Sequence, residues 1–305
     1  MNKQIIEISS DACTLSLYRG FLAIHNKNTD TCDEVPIDNI LSLIISANDT
    51  NITKNIITAL TNNNCNIIFC GKNYIPSSIV IPFLGHWLIS ERVKQQLSCS
   101  VPLRKNLWRF IVQSKIMNQA LLLKTISPEN ENILRLEHLS KTTLSDDSRN
   151  NEGRAANIYF KSLFGERFIR DRNKQDINVL LNYTYTVLRA IVARAVAGNG
   201  LLPYFGLKHC QKSNTMPLVD DLIEPFRPVA DFFVLNELAS LLGDNKEITC
   251  TPDIKRRLAS ITTYPVIIPK GQATLTDAIY DFAGKLVDSF ASKETKLYNP
   301  KLHMF

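Results

Sequence analysis

At 305 residues with 45% hydrophobic content, the chain carries enough apolar material for two domains of ordinary size, each with its own core. The formal net charge of +6 and pI near 8.9 favour an acidic partner such as nucleic acid but do not specify one. Seven cysteines lack the paired short spacings of a zinc ribbon or a disulfide scaffold, the start MNKQIIEISS lacks the apolar core of a signal peptide, and no uninterrupted apolar stretch is long enough for a bilayer, so a cytoplasmic location with no membrane is expected.

From Ile5 to about Ser78 the sequence reads as short β-rich runs: IIEIS, CTLSLYRGFLAIHN with a turn at Arg19-Gly20, ILSLIIS and CNIIFCG. One helix, NITKNIITAL, interrupts them, with Ile52, Ile56, Ile57 and Leu60 at helical spacing as its buried stripe. YIPSSIVIP, with two prolines and two serines, suits a strand end or connector, which places a domain boundary near residue 80.

Beyond it, helical periods dominate: LRKNLWRFIVQSKIMNQALLL, GRAANIYFKSLFG, INVLLNYTYTVLRAIVARAVAG, VADFFVLNELASLLG and LTDAIYDFAGKLVDSFA. Asp176 stands where the third helix needs an N-cap, and Gly198-Asn199-Gly200 where it should end. The expectation is an α+β protein, with a small mainly β domain over residues 1–80 followed by a larger all-α domain over 81–305.

Three features carry candidate chemistry. Glu152, in NNEGRAANIYF, shares a helical face with Ala155, Ala156, Tyr159 and Leu163, which looks buried. A buried carboxylate needs a cation, either a basic side chain or a metal; the plainer reading is an acid favouring a helix N-terminus. In GLKHCQKSNTMPLVDDLIEPFRP, a loop histidine, His209, precedes Asp220, Asp221 and Glu224. Carboxylates and an imidazole form a mixed oxygen and nitrogen donor set suited to magnesium or manganese, or else are first-turn acids and a solvent-facing histidine. Asn178, Asn182, Tyr185 and Arg189 fall along one stripe of an otherwise apolar helix, which lines a cleft or is simply its exposed face.

Basic residues bunch as Arg104-Lys105 with Arg109, as Arg167, Arg170, Arg172 and Lys174, and as Lys255-Arg256-Arg257; most such runs are solvated surface. His25, His86, His138 and His303 have no metal-ligand spacing to one another, and neither a glycine-rich phosphate loop nor a GxSxG turn is present.

Taken in order, KIMNQA, NNEGRAANIYF, INVLLNYTYTVLR, GLKHC and DDLIEPFRP resemble the CRISPR spacer-acquisition integrase family, Cas1, over nearly the whole chain, and are most similar to the branch that accompanies Cas9. The resemblance implies a metal-dependent DNA endonuclease and integrase, with Mg2+ or Mn2+ held by Glu152, His209 and Glu224. It adds Asp221 as a further acid at the metal, with its neighbour Asp220 as the alternative. It puts Asn182, Tyr183 and Arg227 near the site, beside Asn178 and Arg189 as candidate DNA-contacting or supporting residues. It also implies double-stranded DNA as partner, a homodimer built through the N-terminal domain, and the small protein Cas2, with Cas9 and other adaptation proteins as further candidates. In such an enzyme the 3′-hydroxyl of a captured fragment attacks a phosphodiester of the CRISPR repeat. Two other readings stand beside it: a metal-dependent nuclease or Holliday-junction resolvase in repair, and a non-catalytic DNA-binding scaffold.

Overall fold

The computed structural model describes residues 4–71, 76–82, 86–209, 214–243 and 248–302. The N-terminal part comprises β1 (Gln4–Ile8), β2 (Cys13–Tyr18), β3 (Phe21–Asn26), β4 (Thr31–Pro36), β5 (Ile40–Ile45), β6 (Thr50–Ile52), α1 (Lys54–Asn62), β7 (Asn66–Cys70) and β8 (Pro76–Val80). Arg19 and Gly20 make the two-residue turn between β2 and β3. Both have positive φ, 47° and 85°, the handedness that matches the twist of paired strands.

Two four-stranded sheets result, one ordered β4-β3-β2-β6 and the other β1-β5-β7-β8. Ile52 departs from the predicted helical stripe: it ends β6, pairing with Leu15, and the helix starts two residues later. In the second sheet β5 runs parallel to both β1 and β7, and all six of its residues, ILSLII, are buried. A continuous apolar run is what a strand covered on both faces requires. Leu43 and Ile45 join the N-terminal core with Ile56 and Leu60, whereas Leu41 and Ile44 join the core of the helical part.

That helical part contains α2 (Ile89–Leu97), α3 (Val101–Ile126), α4 (Asn132–Lys141), α5 (Asn151–Phe164), α6 (Ile177–Gly198), α7 (Pro217–Leu222), α8 (Arg227–Gly243), α9 (Pro252–Ala259) and α10 (Leu275–Ser292). Ser100, Asn150, Asp176, Thr251 and Thr274 cap α3, α5, α6, α9 and α10 by accepting a backbone N–H of the first turn. α6 is the central rod: of its 22 residues only Arg189, Arg194 and Gly198 are not buried. By length and composition α6 is also apolar enough to cross a bilayer, but 89% of that window lies inside the fold, where it serves as a core helix.

The C-terminal part is helical apart from one small sheet, which the expected all-α domain did not include. β9 (Pro265–Ile268), β10 (Gly271–Thr274) and β11 (Lys301–Leu302) form a small antiparallel sheet ordered β10-β9-β11 beside α10. Strands of two to four residues are too short to show a period. The chain beyond α10 is held by buried Leu297 and by β11, and His303 lies outside the described residues.

The two parts are tied by buried polar contacts as well as apolar packing. Asn66 of β7 donates to the Ala190 carbonyl in α6 at 3.0 Å, and Lys255 of α9 reaches Glu7 of β1 at 2.7 Å. Tyr183 belongs to this junction, with its hydroxyl on Glu7 and its ring 5.7 Å from the Lys255 ammonium.

Candidate active site

Three elements converge beneath a cleft: the middle of α3, the first turn of α5, and a single 3-10 turn, Glu224–Phe226, between α7 and α8. The start of α5 is fixed by Asp147, whose carboxylate accepts the backbone N–H groups of Asn151 and Glu152 at 2.8 and 3.0 Å. The 3-10 turn is fixed from α3, because Asn118 donates to the Pro225 carbonyl at 2.8 Å and to that of Pro300 at 2.7 Å. Asn118 and Lys115 both belong to KIMNQA, so one turn of α3 bears on both acids.

Lys115 supplies a cation for the half-buried Glu152. Its Nζ lies 2.7 Å from Glu152 Oε1 and 2.5 Å from Glu224 Oε2, and the lysine is only 8% exposed. Arg227 takes the other oxygen of Glu224, donating from Nε at 2.9 Å. Burial alone would raise the Glu224 carboxyl, but Arg227 and Lys115 outweigh it and hold the group at about 2. Burial would likewise lower Lys115, yet Glu224 and Glu152 keep it above the ordinary lysine value, so the ammonium stays charged.

His209 is oriented by Asp221. The Asp221 Oδ1 lies 2.6 Å from His209 Nδ1 and accepts the His209 main-chain N–H at 3.2 Å. Its Oδ2 accepts from the N–H groups of Leu207 and Lys208 at 2.5 and 3.1 Å. Asp221 is fully buried. Both Asp221 oxygens are engaged by the His209 loop, so the structure gives Asp221 the task of orienting His209. Asp220, the alternative, turns to Arg189, accepting at 2.7 and 3.1 Å. The hydrogen bond to Asp221 is the main cause that lifts the His209 pKa above its usual value, and it leaves Nε2 as the nitrogen for a ligand or a proton. Trp108 packs edge-on against the imidazole at 5.5 Å. The loop approaches so closely that a Cβ on Gly206 would lie 2.7 Å from Asp221 Oδ2.

The cleft above these groups encloses about 520 Å³ and is lined by His209 and Glu224 together with Arg170, Arg172, Arg189, Arg227, Asn182 and Tyr185. The polar stripe of α6 therefore lines a cleft along much of its length. Asn182 accepts from Arg170 at 2.8 Å and donates to the Arg172 carbonyl at 2.9 Å, setting both arginines. Asn178 is wholly buried, holding the same segment through Arg170, Asp171 and Ile169. Tyr185 is a shelf: its ring faces Arg227 at 4.6 Å and Arg170 at 5.4 Å, and its hydroxyl donates to buried Asp231 at 2.5 Å. Asp231 also accepts from Tyr159 of α5 at 2.8 Å. Tyr183 is a correction, since it stands at the junction with Glu7 and Lys255 and does not line the cleft.

A family model described as CRISPR associated protein Cas1 matches residues 6–252. The CRISPR-associated endonuclease Cas1 of Neisseria meningitidis serogroup C is 36% identical over 286 residues, covering 92% of this chain and 89% of that relative. The chain belongs to the Cas1 family. Among solved structures, a casposase bound to integration product superimposes with a TM-score of 0.80 at 20% identity, over 96% of this chain and 92% of that one. The Cas1-bearing chain of a Cas6-RT-Cas1–Cas2 complex gives 0.79 at 16% identity, over 99% of this chain and 36% of its own length. At these identities the two superpositions establish the fold, a β-rich N-terminal part followed by a helical part, as Cas1-like.

Among the described residues of this Cas1-family chain, no three His, Cys, Asp or Glu side chains already form a metal shell. The Lys115 ammonium stands between the two acids instead. The donor set nevertheless fits a hard divalent ion. Glu224 Oε2 is a buried oxygen held by the Lys115 ammonium, and Glu152 and Glu224 both act electrostatically on the His209 ring. Lys115, Asn118, Gly206 and Asp231 carry functional geometry that the sequence reading did not assign. For Lys115 and Asn118 the signal was present, because KIMNQA was part of the resemblance.

Proposed function

We propose that this Cas1-family protein is a metal-dependent DNA integrase of CRISPR adaptation, joining the 3′-hydroxyl ends of captured DNA to a CRISPR repeat by phosphodiester exchange. The observation that carries the reading is the placement of Glu224 and an Asp221-oriented His209 in a cleft walled by Arg170, Arg172, Arg189 and Arg227, with Glu152 joined to Glu224 through Lys115. Arginines on one side of a polar floor are suited to phosphates, and a mixed carboxylate and imidazole set to a divalent ion that polarises a phosphoryl oxygen.

In this reading Glu152, Glu224 and the Nε2 of His209 hold Mg2+ or Mn2+, which when bound supplies Lewis-acid activation of the phosphoryl group. Arg227 fixes the Glu224 carboxylate, and Asp221 fixes the His209 ring and tautomer. The cleft arginines hold the target phosphate so that the 3′-oxygen approaches in line with the departing oxygen. One P–O bond forms as another breaks, so no external energy source is required. The Neisseria relative is named an endonuclease, and the superimposable complexes hold an integration product or Cas2. By analogy the partners of this chain are double-stranded DNA, a second copy of itself joined through the β-rich part, and Cas2.

A strand-transfer assay tests this. The protein and its Cas2 partner are mixed with short duplex DNA and a repeat-bearing plasmid, with Mn2+, Mg2+ or a chelator. Joined product that requires metal and Glu224 is the expected result. Cleavage without joining moves the reading to a repair nuclease, and metal-indifferent binding without product moves it to a scaffold.

A further inference from the structure

We infer that Lys115 is a built-in counter-cation of the acidic site, holding Glu152 and Glu224 together before a divalent metal arrives and weakening that metal's hold once it is bound. The inference rests on the proposal that these acids bind metal.

The geometry is that of an ion already in place. One ammonium contacts a carboxylate from α5 and another from the 3-10 turn, at 2.7 and 2.5 Å, and it does so from the middle of α3, a 26-residue helix packed into the core. Without it, Glu152 and Glu224 would face each other across a poorly solvated gap, with Arg227 bound to the far oxygen of Glu224 alone. With it, the four charges Lys115, Arg227, Glu152 and Glu224 sum to zero. A divalent ion entering the same gap meets a charge of like sign at close range, in surroundings where Coulomb interactions are weakly screened. The lysine stem is long and unbranched, so its end can withdraw while α3 stays fixed. The arrangement favours a site that is ordered without metal and releases metal readily, over one that depends on metal to fold.

The full chain is titrated with Mn2+, following free Mn2+ by electron paramagnetic resonance, and melted with and without saturating Mn2+. Lys115→Met should bind Mn2+ at least about tenfold more tightly than wild type. Its metal-free melting temperature should fall, and saturating Mn2+ should restore it by a larger shift than wild type shows. Equal or weaker Mn2+ binding by Lys115→Met, at a site that Glu224→Gln abolishes in the wild-type background, overturns the inference and leaves the metal reading intact. A wild-type chain with no Mn2+ site, or one that Glu224→Gln leaves unchanged, removes the metal reading and this inference with it. Where Lys115→Met does not fold without metal, adding Glu152→Gln returns the local charge sum to zero and should recover the melting temperature; no recovery counts against the counter-cation role.

Discussion

The Asp221 carboxylate grips His209 twice, at the ring Nδ1 at 2.6 Å and at the main-chain N–H at 3.2 Å, while its second oxygen holds the two preceding amides. Ring orientation and loop conformation therefore depend on the same buried group. Asp221→Asn keeps an acceptor for Nδ1 but presents an NH2 to the Leu207 and Lys208 amides, which then lack a partner. The expected result is a loss of about 2–4 kcal/mol in urea unfolding. Mn2+ binding should weaken by about 10–100-fold, the usual effect of removing a group that orients a ligand. Complete loss of metal with unchanged stability would instead mark Asp221 as a ligand.

Glu152 and Glu224 share Lys115 but not their surroundings, and the difference is measurable. Glu152 keeps 22% of its side chain exposed, and its loss leaves Lys115 still paired with Glu224. Glu224 is 4% exposed and neutralises both Lys115 and Arg227. Glu224→Ala takes the carboxylate from Arg227 and leaves Lys115 with Glu152 alone, and should cost about 3–5 kcal/mol, whereas Glu152→Ala should cost about 1–2 kcal/mol. Both should abolish strand joining. Equal unfolding midpoints for the two variants would contradict this description of the charge network.

Much of the fold was legible because it rests on local rules. The Arg19-Gly20 turn, the Asp176 cap and the continuous apolar run of β5 each follow from a few adjacent residues. The candidate site was legible only in part. Glu152 showed its need for a cation through its helical face, but the identity of that cation, Lys115, lies 37 residues away on another helix. Asp221 was favoured over its neighbour Asp220 only by its three-residue spacing to Glu224; burial of Asp221 and the Arg189 contact of Asp220 separate them in the structure. Tyr183 and Tyr185 sit on opposite sides of a helix buried nearly all round, so no polarity contrast showed which faced the cleft.

Arg189 is a cleft arginine that pairs with neither Glu152 nor Glu224. Its guanidinium pairs with Asp220, and it is one of three α6 residues not fully buried. A phosphate contact at this position would release a counterion on DNA binding. Arg189→Ala should lower DNA affinity across sequences alike and reduce the slope of log affinity against log salt by about 1, read from binding isotherms at several salt concentrations. A sequence-selective loss with an unchanged slope would argue that Arg189 reads bases.

Asp231 gives the prediction with a defined pH window. Burial raises its carboxyl from the ordinary 3.8 to about 6, against the hydrogen bonds from Tyr185 and Tyr159 that favour the charged form. Because the folded value lies above the unfolded one, its contribution to stability is complete below the unfolded value and is lost as pH rises through about 6. A difference of this size corresponds to ~3 kcal/mol across the window. Asp231→Asn is neutral throughout, so the stability advantage of wild type over the variant should shrink by about that amount from acid to neutral pH, in urea titrations run in parallel. The Tyr185 shelf beneath Arg227 and Arg170 depends on this group, so DNA joining should fall in the variant even at pH values where the two proteins are equally stable. A wild-type advantage that does not vary with pH would mean that Asp231 stays ionised in the fold, and that the two tyrosine hydroxyls fully offset the cost of burying its charge.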